Sequence, residues 1–208
     1  MNNQESWVDT VTPQLRESIQ HIALAAYANA CELLRDARLL LREDRCARAG
    51  ALVILSEEEF SKAFILLVCT QLDRWDSEIF YALKRHPKKQ GVAEAMNEYF
   101  DWFVDNYNRI AEMNRFSFIP ATPAVLPSQQ QWDEMIVKSK KDIKKAKKEQ
   151  YKQSLLYVGF DRMAKISSDP RNADIKEVEN CFKEAVNFKE VVELAMSGQI
   201  AKFDKIVI

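Results

Sequence analysis

Residues 50–69 read GALVILSEEEFSKAFILLVC, and the segment Ala47–Cys69 around them is almost entirely apolar except for Glu57, Glu58, Glu59 and Lys62. A helix that is hydrophobic on every side is a buried one, and charges inside it persist only when paired or hydrogen-bonded. Successive helical residues point about 100° apart, so the three glutamates cover three faces and at least one must turn inward. The spacing places Glu59 on the face of Leu52, Leu55, Ala63 and Leu66, with Lys62 one turn further on. Glu59 and Lys62 are therefore expected to act as a pair inside a buried helix.

Outward from this segment, the pattern stays helical. Thr12 and Pro13 form an N-cap and first-turn pair, and Leu15 to about Glu43 carries an apolar stripe through Ile19, Ile22, Ala26, Ala30, Leu33, Leu34, Ala37, Leu40 and Leu41. A break at Arg42–Arg45 leads into the glutamate-bearing helix, which runs to about Leu72. Two long helices joined so tightly are expected to pack antiparallel. Asp76 or Ser77 caps a short third helix that ends at His86, because Pro87 disfavours helical geometry in the residue before it. A fourth helix is expected from about Lys88 to Arg115, with Met96, Tyr99, Phe100, Phe103, Tyr107 and Ile110 on its apolar face. Glu94, Glu98, Asp101 and Asp105 opposite them read as a solvated stripe in preference to a metal site.

Residues 116–131, FSFIPATPAVLPSQQQ, contain three prolines and read as a linker or an ordered loop over the bundle. A helix capped by Ser128 follows and carries the basic run Lys138–Lys152. After the break SSDPRNA at 167–173 a last long helix spans Asp174–Ser197, Gly198 is a C-cap, and the tail packs back on the core. The organisation expected is a helical bundle over 1–115, the linker at 116–131, and a C-terminal helical region over 132–208 on the same core.

Composition agrees with an all-α fold: 208 residues, 47% apolar, with only 4 glycines and 6 prolines. The net charge of −1 provides no global field toward nucleic acid or membrane, leaving only local patches to do so. Cys31, Cys46, Cys69 and Cys181 form no CxxC or Cys/His group and read as reduced core residues, which points to a cytoplasmic protein. The opening MNNQESWVDT lacks the basic start and apolar stretch of a signal peptide, and charges interrupt every apolar run before it could span a bilayer. No Walker loop, GxGxxG, HExxH, ExxH, GxSxG or zinc-ligand spacing is present, so no metal or cofactor is expected.

Chemistry concentrates in few places. His86 sits in LKRHPKK among Lys84, Arg85, Lys88 and Lys89, a setting suited to an anion: basic groups hold a phosphate and the imidazole exchanges a proton. The same residues also fit an ordinary basic surface turn. Arg16 and His21 match an Arg-x4-His spacing, though His21 reads more simply as a partly buried helix residue. Glu58, Glu59 and Lys62 are either an ion-pair cluster that fixes helix pairing or the polar floor of a cleft. The run KSKKDIKKAKKEQYK, with Lys144, Lys145 and Lys148, is a solvated face that attracts a phosphate backbone without reading sequence.

The order YANACELLRDARLLL, then ALVILSEEEFSKAFILL, then His86-x-x-Lys89 resembles the AbiV-type abortive-infection proteins, with their Asn-Ala-x-x-Leu-Leu-x-x-Ala helix, Glu-Glu-x-x-Lys helix and downstream His-x-x-Lys. The resemblance covers about residues 20–90. That family is assigned to the HEPN (higher eukaryotes and prokaryotes nucleotide-binding) superfamily of all-α domains, many of them metal-independent ribonucleases that act as dimers and others non-catalytic. The resemblance thus implies antiphage defence, RNA cleavage and homodimerisation, and carries over Asn29, Glu58, Glu59, Lys62, His86 and Lys89 as site residues. His86 lacks an arginine at the superfamily's usual spacing, and Arg16/His21 lies on the first helix, where the superfamily does not place its catalytic motif. Three functions stay open: a ribonuclease, a helical interaction protein that senses or binds a phage or host protein, or, third, a nucleotide-binding domain whose basic turn holds a phosphate.

Overall fold

The computed structural model describes residues 11–86, 89–93 and 147–197, with only the backbone of Glu78. Residues 94–115 of the helix expected from Lys88 to Arg115, the linker at 116–131, the Ser128-capped helix up to residue 146, Gly198 and the tail lie outside these residues.

The fold is all-α, an antiparallel bundle built around one largely buried helix. Helix α1 spans Pro13–Arg42, and its first turn is closed by the Thr12 hydroxyl, which accepts from the Leu15 amide at 3.2 Å. Its buried stripe, Ile19, Ala23, Ala26, Ala30, Leu34 and Ala37, recurs every three or four residues, and the small alanines let the next helix approach closely. Asp44, in the left-handed conformation at φ 54°, turns the chain into α2, Cys46–Leu72. The far ends of the pair are joined by Arg16, whose guanidinium donates to the Thr70 carbonyl and the Asp73 carboxylate. Asp73 ends α2 in the left-handed conformation that stops a helix.

Helix α2 is buried on most of its faces because it has neighbours on several sides. Helix α3, Ser77–Lys84, is capped by the Asp76 carboxylate, which accepts from the Ile79 amide at 3.0 Å, and packs Ile79 against Ile65 and Cys69. Residues 86 and 89–93 are also helical. Helix α4, Lys147–Leu156, and helix α5, Ile175–Met196, cover α2 from the C-terminal part of the chain. Phe188, Val191 and Val192 of α5 share one core with Phe60 and Phe64 of α2 and Ala26 and Ala30 of α1. The Phe60 and Phe188 rings meet edge-on at 6.2 Å between centroids. Each such aromatic contributes on the order of 1.5–3 kcal/mol by leaving water. The Tyr27 hydroxyl donates to Glu193 and joins α1 to α5.

Gly50 is where α2 meets both C-terminal helices: a Cβ there would stand 2.8 Å from Leu155 Cδ1 and 3.0 Å from Val178 Cγ2. The sequence reading missed one feature. Between α4 and α5 the chain forms a two-stranded antiparallel hairpin, β1 at Gly159–Phe160 and β2 at Ile166–Ser168, followed by a 3-10 turn at Pro170–Asn172. Strands of two and three residues are too short to show a periodicity. Among the described residues no helix is long and apolar enough to cross a membrane.

Candidate active site

The glutamates that α2 buries are Glu57 and Glu58, each 1% exposed, while Glu59 is only partly buried. This corrects the expectation for Glu59. Its face carries Leu52 and Leu55, which are only partly covered, along with the buried Ala63 and Leu66, so apolar neighbours alone did not show that α4 and α5 close over the adjacent faces instead. Glu59 does pair with Lys62, whose ammonium donates to both carboxylate oxygens at 2.5 and 2.7 Å. Among the described residues that pair shares no hydrogen bond or ion pair with Glu58, His86 or Lys89, so the presumed single cluster is two.

Glu58 is the hub. Its Oε1 accepts from Lys152 Nζ at 2.8 Å and from Gln90 Nε2 at 2.9 Å. Its Oε2 meets the Nδ1 of His86 in a hydrogen bond and lies 3.6 Å from Lys89 Nζ. Glu149, one turn before Lys152 on α4, places Oε2 at 2.8 Å from Lys152 Nζ and 3.2 Å from Gln90 Nε2. Four atoms, Glu58 Oε1, Lys152 Nζ, Glu149 Oε2 and Gln90 Nε2, thus alternate acceptor and donor around a closed ring. His86 is attached to the carboxylate oxygen outside that ring.

Burial taken alone would raise the Glu58 carboxyl, but the hydrogen bonds from Lys152, His86 and Gln90 outweigh it and hold the group below the ordinary carboxylate value. Glu149 is lowered in the same way, its desolvation outweighed by Lys152 and Gln153. Desolvation would depress Lys152, yet Glu149 and Glu58 together keep it above the ordinary lysine value. Both carboxylates and the ammonium are therefore charged at neutral pH. The His86 side chain is 54% exposed while its anchor Glu58 is 2% exposed. A buried carboxylate holding an exposed imidazole by Nδ1 leaves Nε2 as the nitrogen outside that bond, the arrangement of an oriented proton acceptor.

Other expected site residues are distributed differently. Arg85 is exposed beside His86, where an anion can reach it. Lys89 is buried at 6% and points at Glu58. Asn29 is exposed on α1 and bonds to none of the cluster, and Lys88, Lys144 and Lys145 lie outside the described residues. Lys148 is not on a solvated face: its side chain is 14% exposed. Its ammonium donates to both oxygens of Glu57 at 3.1 and 3.0 Å and to Glu184 at 3.4 Å, joining α4 to α2 and α5. His21 is exposed, not partly buried, and Arg16 is engaged at the end of α2.

Lys152, Glu149 and Gln90 were missed. A signal was present: Lys148 and Lys152 stand on the same i, i+4, i+7 stripe as Leu155, which is buried at 2%. The density of lysines masked that stripe. Ligating atoms of Glu58, His86 and Glu149 come within 4.8 Å of one another, a spacing compatible with a metal ion. Lys152 and Lys89 already match the two carboxylate charges, however, so a divalent ion would meet no uncompensated negative charge. All four cysteines are free, and burial pushes the Cys69 and Cys181 thiols up to about 12, which leaves them poor nucleophiles at neutral pH.

No curated protein and no solved structure gives a significant match to this chain. A HEPN family model described as AbiV matches residues 18–189. That span extends well past the residues 20–90 on which the resemblance was drawn and includes every member of the ring around Glu58 as well as most of α5. The chain belongs to the AbiV family of HEPN abortive-infection proteins.

Proposed function

We propose that this protein is an antiphage effector that cleaves RNA without a metal, with Glu58 and His86 as its proton-transfer pair. The observation that carries the reading is the exposed His86 ring held at Nδ1 by a buried, ionised Glu58. In the proposed reaction His86 Nε2 takes the proton of a ribose 2′-hydroxyl. The 2′-oxygen attacks the adjacent phosphorus, the bond to the 5′-oxygen breaks, that oxygen leaves with a proton from water, and the hydroxide so formed takes back the proton that His86 had accepted. The products are a 2′,3′-cyclic phosphate and a 5′-hydroxyl. Arg85 offers positive charge to the phosphate, Lys89 stands 3.6 Å from Glu58 Oε2 and balances its charge, and Glu59 and Lys62 act outside the reaction. A homodimer that brings two such pairs into one cleft fits this reading.

A second reading is a non-catalytic helical protein that binds a phage or host protein as a homodimer. It is favoured by the apolar side chains displayed on the hairpin, Phe160 and Met163 at 76% exposure and Ile166 at 65%. Purified protein incubated with total RNA in EDTA, wild type beside His86→Ala, separates the two. Ribonuclease action predicts cyclic-phosphate ends with wild type only, and loss of phage protection in His86→Ala with an unchanged melting temperature. Equal cleavage by both proteins sinks the assignment of His86, and intact RNA with wild type favours the binding role.

A further inference from the structure

We propose that Lys152 is a positioning residue for the Glu58–His86 pair: by holding Glu58 Oε1 within the four-atom ring, it commits Oε2 to His86 Nδ1 and so fixes the imidazole with Nε2 unprotonated. The inference deepens the ribonuclease reading and rests on it for its catalytic meaning.

A carboxylate has two equivalent oxygens and about four acceptor directions. Left alone, Glu58 would rotate about its last torsion, a broad and soft one, and present either oxygen at any of several angles to His86. Two donors prevent this. Lys152 Nζ at 2.8 Å and Gln90 Nε2 at 2.9 Å both fall on Oε1, which leaves Oε2 alone to face the imidazole. Lys152 can impose this geometry because it is itself immobilised. Its side chain is 5% exposed, and Glu149 Oε2 holds its ammonium at 2.8 Å from one turn away. Glu149 in turn takes Gln153 Nε2 on Oε1 at 2.8 Å and Gln90 on Oε2, so the ring's remaining acceptor is also fixed. Gly50 admits Leu155 of α4 close to α2, which brings Lys152 within reach of Glu58.

The consequence falls on the histidine tautomer. With Glu58 Oε2 always an acceptor, Nδ1 must carry the proton, opposite to the tautomer that free histidine favours. Without Lys152 the carboxylate is free to rotate and to take up a proton, and either change lets His86 move the proton to Nε2, where it can no longer act as a base.

The test uses full-length protein with 15N-labelled histidine, reading the His86 ring nitrogens by two-bond NMR correlation, with His21→Gln to assign the signals. Wild type is expected to show one neutral tautomer, protonated at Nδ1. Lys152→Met is expected to show a mixture or the opposite tautomer. Because that variant leaves two carboxylates facing each other, Lys152→Met/Glu149→Gln, which restores the charge balance, is measured beside it and is expected to give the same mixture at near wild-type stability. Where wild type cleaves RNA, both variants lower kcat on the order of tenfold or more, with KM unchanged. A purely structural lysine would lower stability and leave the tautomer alone. Persistence of the Nδ1-protonated form in the folded double variant overturns the proposal, as does an Nε2-protonated wild type. Intact RNA with wild type overturns only the ribonuclease reading, since the tautomer measurement uses no RNA.

Discussion

Replacing Glu58 with alanine removes the acceptor shared by Lys152, Gln90 and His86 and, among the described residues, the ion-pair partner of Lys89, whose side chain is 7% exposed. Breaking a buried ion pair from one side costs about 3–5 kcal/mol, because the partner charge stays out of water without compensation. Glu59→Ala, one residue on, breaks a pair whose side chains are 18% and 28% exposed, and Lys62 can turn to solvent, so about 0.2–1 kcal/mol is lost. Alanine's better helix propensity returns roughly a few tenths of a kcal/mol in both variants and cancels in the comparison. With a urea m-value of about 2 kcal/mol/M, the midpoint should fall by about 1.5–2.5 M for Glu58→Ala and by at most about 0.5 M for Glu59→Ala. Glu58→Gln keeps an oxygen for Lys152 and should fall between them. Urea melts followed by circular dichroism at pH 7 measure all three. A Glu59→Ala loss equal to or greater than that of Glu58→Ala would refute the argument, because it would place the buried charge on the wrong glutamate.

Stability should also depend on pH in a defined way. Glu58 and Glu149 are held below their ordinary value of 4.5, so the unfolded chain binds those protons first; their contribution is complete above about pH 5 and drains away as pH falls below 4.5. Lys152 is held above its ordinary 10.5, so its contribution is complete below that pH and is lost as pH rises through the folded value. Urea midpoints should be flat across neutral pH and fall on both sides, and an acid limb equally steep in Glu58→Gln would contradict the assignment. Lys148→Met, which removes the donor to Glu57 and Glu184, should cost about 1.5–3 kcal/mol, the range for hydrogen bonds to charged groups, and leave RNA affinity and its salt dependence unchanged. Weaker RNA binding at unaltered stability would return Lys148 to a phosphate-binding role.

The helices were legible because their signals are local. Thr12-Pro13, Asp76 and Asp174 mark starts, and the alanine-rich stripe of α1 from Ile19 to Ala37 repeats over about five turns with little to interrupt it. The glutamate anomaly correctly marked α2 as the buried helix, but the choice of Glu59 failed because an all-round apolar helix does not announce which neighbour lies where. Periodicity resolves one apolar face, and α2 has several. His86, Glu58 and Lys89 were singled out together, whereas the residues that hold Glu58 from its other side were not. Lys152 and Glu149 come from a run whose composition reads as solvated, and their inward direction depends on α4 docking at Gly50, a tertiary event with no local mark. The hairpin escaped for a simpler reason: its strands are shorter than any alternation that could reveal them.

The bond between Lys152 and Glu58 joins residues 94 positions apart. Closing a flexible loop of that length costs about 4 kcal/mol in chain entropy, whereas α1 and α2 meet across a turn of three residues. The helical pair should therefore form early and the ring around Glu58 late, since distant contacts repay their closure only after nearer ones are in place. During synthesis, a chain that has emerged only through His86 has the histidine but not the lysine proposed to position it. The proposed RNA cleavage would then be withheld from unfinished chains until the downstream helix has been made and docked.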